Sequence, residues 1–523
     1  MTHLILPRKR ILAVTVAVVA SAFTVLRAAE PILPRPDPRQ VPLPKIKTSL
    51  GDLPGVEALT VRKEMPDVMT MNDGTKVTTP AQWQQRRAEI RQTLEYYHVG
   101  RMPPPPGNVK GTEISSELLQ GGQVKYRLIK LTFGPDEKLS LHVGIFAPTA
   151  GGPVPAVIQP GSAPGAPRLP SLGQGIGQGR GLDILLPAEI LTAQIAAADA
   201  SKGGGAAKGA GARGARGGTP PPAVATAGDA APAVGDAATT ASASAARGGR
   251  GGFGGGATAE AMAASGSAAT VLKHGFAYVT FSTSECAEDT TLRMPDGSFA
   301  FRTTRFFPAY PGYDWGILGG WAWGTMRVVD YLQNDAMVDK TKLIITGTSR
   351  VGKAAMITGA FDDRIALVAP GASSGLGTPA YRFSGDGRGG REGLTMMVRK
   401  YGNQFSPNLH QFWGQEDKLP FDAHWFPALT APRPWIALEG THDANVVHHA
   451  VKQTWLAARP AYAFLGAVDK LGVYWADRPH GFGETDWDGL LAFADKHLLG
   501  KRVSRAFDLF PATDEVAPAS SYR

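Results

Sequence analysis

The residues best suited to do chemistry in this chain are Thr346-Gly347-Thr348-Ser349-Arg350-Val351-Gly352-Lys353. A short apolar run, 342–346, leads into them, and a stretch of small and apolar residues, 354–361, leads out. That order predicts a strand, a sharp turn and a helix with Ser349 at the apex. Such a turn lifts the hydroxyl clear of the strand end. The unpaired N–H groups of the helix's first turn then face a developing oxyanion. The chemistry is acyl transfer by a serine nucleophile. The usual spacing is G-x-S-x-G, but here the second glycine, Gly352, comes one residue late, and Arg350 and Lys353 flank the serine. A helix N-terminus disfavours cations, so two of them point to an anionic or polar target. Solvated basic residues at a helix start are the alternative.

A serine hydroxyl needs a base within hydrogen-bond reach and a third group to orient that base. With a serine turn of this kind the acid and then the histidine follow along the chain. His480, in Arg478-Pro479-His480-Gly481, follows the last predicted strand and is the expected base. His424 and His442 precede that strand and suit the order less well. His448 and His449 fall on a helix, where a metal site would need a third ligand that the sequence does not supply. The expected acid is Asp443, just past the strand at 435–439. Its alternative role is a helix N-cap, which aspartate also favours.

These residues need a scaffold. Apolar runs at 153–160, 276–281, 342–346, 365–370, 435–439 and 472–475 read as strands. Helical patterns at 315–332, 354–361, 446–457 and 487–498 separate several of them. The alternation predicts a mainly parallel sheet with helices on both faces and the site at the C-terminal strand ends, and with the serine turn at one of those ends the expected fold is that of an α/β-hydrolase. Before it come a helix at 81–97 and an antiparallel hairpin, 124–133 with 138–147, turning at Gly134-Pro135-Asp136. The catalytic domain is therefore expected at 56–160 and 268–502, with a tail at 503–523.

Between these halves, 161–267 is dominated by Gly, Ala, Pro, Ser and Thr, with one possible helix at 182–197. Such a composition cannot offset its chain entropy and predicts a long, low-complexity, disordered insertion. Arg247-Gly-Gly-Arg250-Gly-Gly has the look of an RNA-binding repeat, but two copies are too few, and nucleic acid is not an expected partner. The 64 glycines and 41 prolines of the 523 residues suggest that part of the chain does not fold, and part of the formal charge of +9 comes from this stretch and from the extreme N-terminus. At the N-terminus, Arg8-Lys9-Arg10, an apolar run at 11–26 and small residues after it read as a signal peptide over 1–29. The run is short for a membrane span. Export to the periplasm or medium is expected, without stable membrane insertion. A proline-rich segment, 30–55, follows. The single cysteine, Cys286, excludes an intramolecular disulfide and reads as an inert packed thiol. No cofactor or metal motif stands out.

The motifs together resemble those of glucuronoyl esterases, carbohydrate esterase family 15. The serine segment is similar to the family's G-C-S-R-x-G-K signature, with Thr348 in place of the cysteine, as in bacterial-type members. Trp321-Ala322-Trp323-Gly324, Leu419-Pro420-Phe421-Asp422-Ala423-His424 and Ala431-Pro432-Arg433-Pro434 match further family segments, as does Trp83 to Arg87 with Tyr97 to Gly100. The resemblance implies hydrolysis of 4-O-methyl-glucuronoyl esters that link glucuronoxylan to lignin, by a cofactor-free monomer. It implies Ser349 as nucleophile, His480 as proton shuttle, and Arg350 at the oxyanion. Lys353 and Glu392 would hold sugar hydroxyls, and Gln404 would fill the family's glutamine position. Two departures bear on specificity. Ser373 stands where the family often carries its acid, leaving the later Asp443 for that role, and Asn445 stands where a tryptophan is expected. A carboxylesterase acting on acetyl or methyl esters of saccharides, and a catalytically weakened carbohydrate-binding protein, are the alternatives.

Overall fold

The computed structural model describes residues 53–172, 257–294, 297–385 and 392–512. The predicted signal peptide and the possible helix at 182–197 lie outside these residues.

Nine strands form one sheet in the order β1-β2-β3-β5-β4-β6-β7-β8-β9. The first three, β1 (Lys110–Leu119), β2 (Val124–Phe133) and β3 (Leu139–Pro148), are antiparallel, and β3 joins β5 (Ala277–Phe281) antiparallel as well. From β5 onward the pairing is parallel through β4 (Val154–Ile158), β6 (Val338–Thr348), β7 (Ile365–Gly371), β8 (Trp435–Gly440) and β9 (Leu471–Ala476). Strand side chains alternate between the faces. Leu343 and Ile345 of β6 enter one core and Ile344 the other.

The first core is covered by α1 (Pro80–Leu94) and, beyond the excursion to the other face, by five further helices. The other face carries α2 (Ala259–Ala264) and α3 (Gly266–Lys273). The helices returning to the first core are α4 (Ile317–Leu332), α5 (Arg350–Phe361), α6 (Leu394–Tyr401), α7 (Trp425–Thr430) and α8 (His448–Phe464), and α9 (Glu484–Leu498) closes the second face. Thr79 caps α1 by accepting from Gln82 N, with the reciprocal bond completing a capping box, and Pro80 sits at the first position. In α4, Gly324 lets the helix settle onto the β5 side, because a Cβ there would lie 2.4 Å from Cys286 Sγ.

Parts of the expected insertion belong to the folded body. Tyr126 OH donates to Pro164 O at 2.6 Å, and Ala163 and Leu172 are buried. At the far end α2 and the start of α3 pack on the second face, and Gln120 Nε2 donates to Ala263 O. The expected tail is docked where described: Val473 N bonds Phe507 O at 2.6 Å, and Phe507 is buried. β1 has no counterpart in the sequence reading.

Candidate active site

Ser349 sits between β6 and α5 with φ 56° and ψ −126°, in the left-handed half of backbone space that a non-glycine residue avoids. Its N–H is tied to Gly371 O at 2.9 Å, and its carbonyl accepts from Lys353 N at 3.0 Å. The late glycine now has a physical reason. A Cβ on Gly352 would lie 2.7 Å from Gly371 O and 2.9 Å from Gly347 O, so only glycine lets the first turn of α5 cross the ends of β6 and β7. It is a close-approach residue.

The loop after β7 is strained in the same sense. Ala372, Ser374 and Leu376 all have positive φ, an arrangement that clusters at functional sites. Gly375 lies against Glu392, where a Cβ would meet Glu392 O at 2.0 Å, and Ser374 Oγ donates to Glu392 Oε2 at 2.6 Å. The loop thus holds Glu392 beside the serine turn's neighbouring strand.

His480 and Asp443 come together from the ends of β9 and β8. His480 Nδ1 and Asp443 Oδ2 are 2.7 Å apart, with the Asp443 side chain fully buried and that of His480 22% exposed. Asp443 Oδ1 accepts from Asn445 N at 2.9 Å. Asp443 is not the N-cap of α8, which begins five residues later after Val447. It braces its own turn with one oxygen and the imidazole with the other. With Nδ1 facing the carboxylate, Nε2 is the nitrogen available to a serine proton. No hydrogen bond joins Ser349 Oγ to His480 in this structure, as is frequent before substrate binds. The histidine loop is anchored by Arg478, whose Nε and Nη2 each bond Asp486 of α9 at 2.6 Å. Phe482 packs on Gly371, beside the serine turn.

The cations differ in setting. Arg350 is ion-paired with Asp289, and its guanidinium lies 5.6 Å from the centre of the Tyr401 ring. Burial alone would lower it, but the Asp289 carboxylate outweighs that and holds it above its ordinary value. Lys353 is 2% exposed. Burial pushes it down to about 8, with the Glu392 charge opposing that most strongly and Arg350 adding to the depression. Beneath them lies Glu439, fully buried at the end of β8. Its Oε1 accepts from Thr378 Oγ1, while Oε2 has no hydrogen-bond partner among the described residues. Burial pushes Glu439 up to about 8, and the Asp443 charge pushes the same way.

The other histidines weighed in the sequence have neighbours of their own. His424 is buried and bonded to Pro66 O at 2.7 Å. His442 pairs with Asp477 on the surface. His448 packs against Trp475, and His449 lies beside Gln453. Among the described residues no group of acids, histidines and cysteines has the arrangement of a metal site. Cys286 is fully buried, and burial holds its thiol well above the ordinary range.

The family model described as "Glucuronyl esterase, fungi" matches residues 238–466. The 4-O-methyl-glucuronoyl methylesterase of Hypocrea jecorina is 32% identical over 209 residues, covering 39% of this chain and 45% of that protein. Carbohydrate esterase MZ0003, from an unknown prokaryotic organism, is 30% identical over 203 residues, covering 36% and 45%. Over these stretches the chain is similar to glucuronoyl esterases. Its matches span about half the length of these curated relatives. A family 15 glucuronoyl esterase structure from Caldicellulosiruptor kristjansonii shares the fold, with TM-score 0.56, 22% identity, and coverage of 88% of this chain and 97% of that one. A Sporotrichum thermophile glucuronoyl esterase mutant, solved with methyl 4-O-methyl-beta-D-glucopyranuronate, gives TM-score 0.56 at 21% identity, covering 88% and 97%.

Against the family's pattern, this site has a rearranged acid side. Ser373, at the position where the family often has its acid, is fully buried and bonds Thr378 through both Oγ1 (2.9 Å) and N (2.8 Å). Thr378 in turn bonds Glu439, so a carboxyl group lies two hydrogen bonds from the family's acid position. Asn445 serves the Asp443 turn through its N–H. Gln404 is buried in the turn Gly402–Gln404, its backbone against Gly316; among the described residues its Oε1 has no hydrogen-bond partner, and no hydrogen bond links it to Ser349, His480 or Lys353. Sequence reading missed Asp289, Glu439 and Thr378, which carry no spacing signal because their partners come from distant elements.

Proposed function

We propose that this protein is a serine esterase that hydrolyses 4-O-methyl-glucuronoyl esters through an acyl-enzyme. The Asp443–His480 pair beside the strained Ser349 carries the reading. Ser349 Oγ attacks the ester carbonyl as His480 Nε2 takes its proton. Asp443 holds the Nδ1–H and stabilises the imidazolium. The oxyanion meets the N–H groups that open α5 and the guanidinium of Arg350. His480 returns the proton to the leaving alcohol, and water then cleaves the acyl-enzyme by the same path. Lys353 and Glu392 hold sugar hydroxyls, with Gln404 and Asn445 as the further candidates on the substrate side.

The expected substrate is glucuronoxylan esterified to lignin alcohols, acted on by an exported monomer. No described helix is long and apolar enough to cross a membrane. The replaced acid and the replaced tryptophan favour one second reading, an esterase of shifted sugar specificity. The deciding experiment compares benzyl glucuronate, acetylated xylan and a simple acetyl ester as substrates. Turnover of benzyl glucuronate is expected; turnover of the acetyl substrates alone would sink the glucuronoyl assignment.

A further inference from the structure

Arg350 has two neighbours that no family motif assigns to it. One is the Asp289 carboxylate, bonded to its Nη1, and the other is the Tyr401 ring at the end of α6. The side chains of Arg350 and Asp289 are 33% and 22% exposed, so water competes for both. Left alone, a long arginine so exposed would sample many rotamers, and its charge at a helix N-terminus would face a like-signed dipole.

Asp289 is itself held from both sides. It lies in the loop that leaves the C-terminal end of β5. Just before it, Ala287 O accepts from Trp321 Nε1 at 2.9 Å, and Cys286 is packed under Gly324. The adjacent Glu288 is fastened by Leu172 N at 2.7 Å, Ser171 Oγ at 3.0 Å and Arg305 at 3.2 Å. Just after it, Thr290 O accepts from Asn403 Nδ2 at 2.9 Å. A carboxylate so fixed fixes what it binds.

We propose that Asp289 is the positioning residue for Arg350, aiming the guanidinium at the oxyanion of the reaction while using only part of its donor fork. The guanidinium has five N–H donors, so a bond at Nη1 leaves others for the substrate. The carboxylate also moderates the cation, so two effects of removing it oppose each other. Preorganisation dominates, because donors fixed before reaction carry most of such electrostatic stabilisation. The inference rests on the serine-esterase reading of Ser349.

The test is a double-mutant cycle of Asp289→Asn and Arg350→Ala, with kcat and KM measured on benzyl glucuronate and on an activated aryl acetate, and thermal melts run in parallel. Asp289→Asn is expected to lower kcat about tenfold with KM little changed, and to cost less than about twofold once Arg350 is alanine. Asp289→Glu, which keeps the charge, should recover part of the loss and serves as the second variant if the asparagine form folds poorly. Equal losses in both backgrounds, or a rise in kcat, would overturn the assignment. A wild-type protein that turns over neither ester would overturn the esterase reading and this inference together, whereas an active wild type with additive variants would overturn Asp289 alone.

Discussion

At the scale of single residues, the site is set by pairs. Asp443 uses one oxygen to brace its own turn and the other to hold His480. Asp443→Asn should leave the fold intact but favour the wrong imidazole tautomer. A fall in kcat of about 10³–10⁴ is expected, read by steady-state kinetics on benzyl glucuronate. A near-wild-type rate would remove Asp443 from the mechanism. Arg478 acts at one remove, since its bidentate bond to Asp486 anchors the loop that carries His480. Arg478→Ala should lower kcat while leaving KM nearly unchanged, which separates a displaced base from a damaged sugar pocket.

At the scale of elements, the crossing of α5 over β6 and β7 decides whether the serine turn can form. Gly352→Ala would put a methyl group into backbone oxygens that have nowhere to go. A loss of about 1–3 kcal/mol is expected from overpacking, measured by denaturant unfolding, with activity falling further than stability because Ser349 is displaced. The elements that were legible in the sequence are those with a one-dimensional signature. The central stretches of β4 to β9 are largely buried on both faces and so read as short apolar runs, and the serine turn is punctuated by its glycines. β1 was not legible, because nine of its ten residues are exposed and show no alternation. α2 and α7 have six residues each, too short for a helical period to show. The same holds within the site. Ser349, His480 and Asp443 follow a chain order that can be read, while Asp289 and Glu439 gain their meaning only from tertiary neighbours.

At the scale of the whole molecule, burial of charge shapes the response to pH. Glu439 has a folded value of about 8 against an ordinary 4.5. The native state therefore holds an extra proton between those values, and stability declines as pH rises through that window. Glu439→Gln should match wild type near pH 5 and melt increasingly above it as pH approaches 8. Thermal melts across that range are the check, and parallel curves would mean that Glu439 is not protonated in the native protein. Lys353, lowered from 10.5 to about 8, works in the opposite sense above pH 8, where its early loss of a proton raises stability with pH. The chain between the two halves of the catalytic body offers another test. Removing residues 200–250 is expected to leave melting temperature and activity unchanged. Extending the cut to 265 removes α2, whose Ala259 and Ala263 are buried in the second core, and should lower the melting temperature.

The thiol of Cys286 lies sealed beneath Gly324 of α4, and the chain has no other cysteine. The protein therefore carries a natural one-site clock for opening of its core. A thiol-reactive dye added to the native enzyme can label only molecules in which α4 has parted from the β5 loop. Because that loop also carries Asp289, the rate of dye uptake would report how often the wall behind Arg350 comes apart.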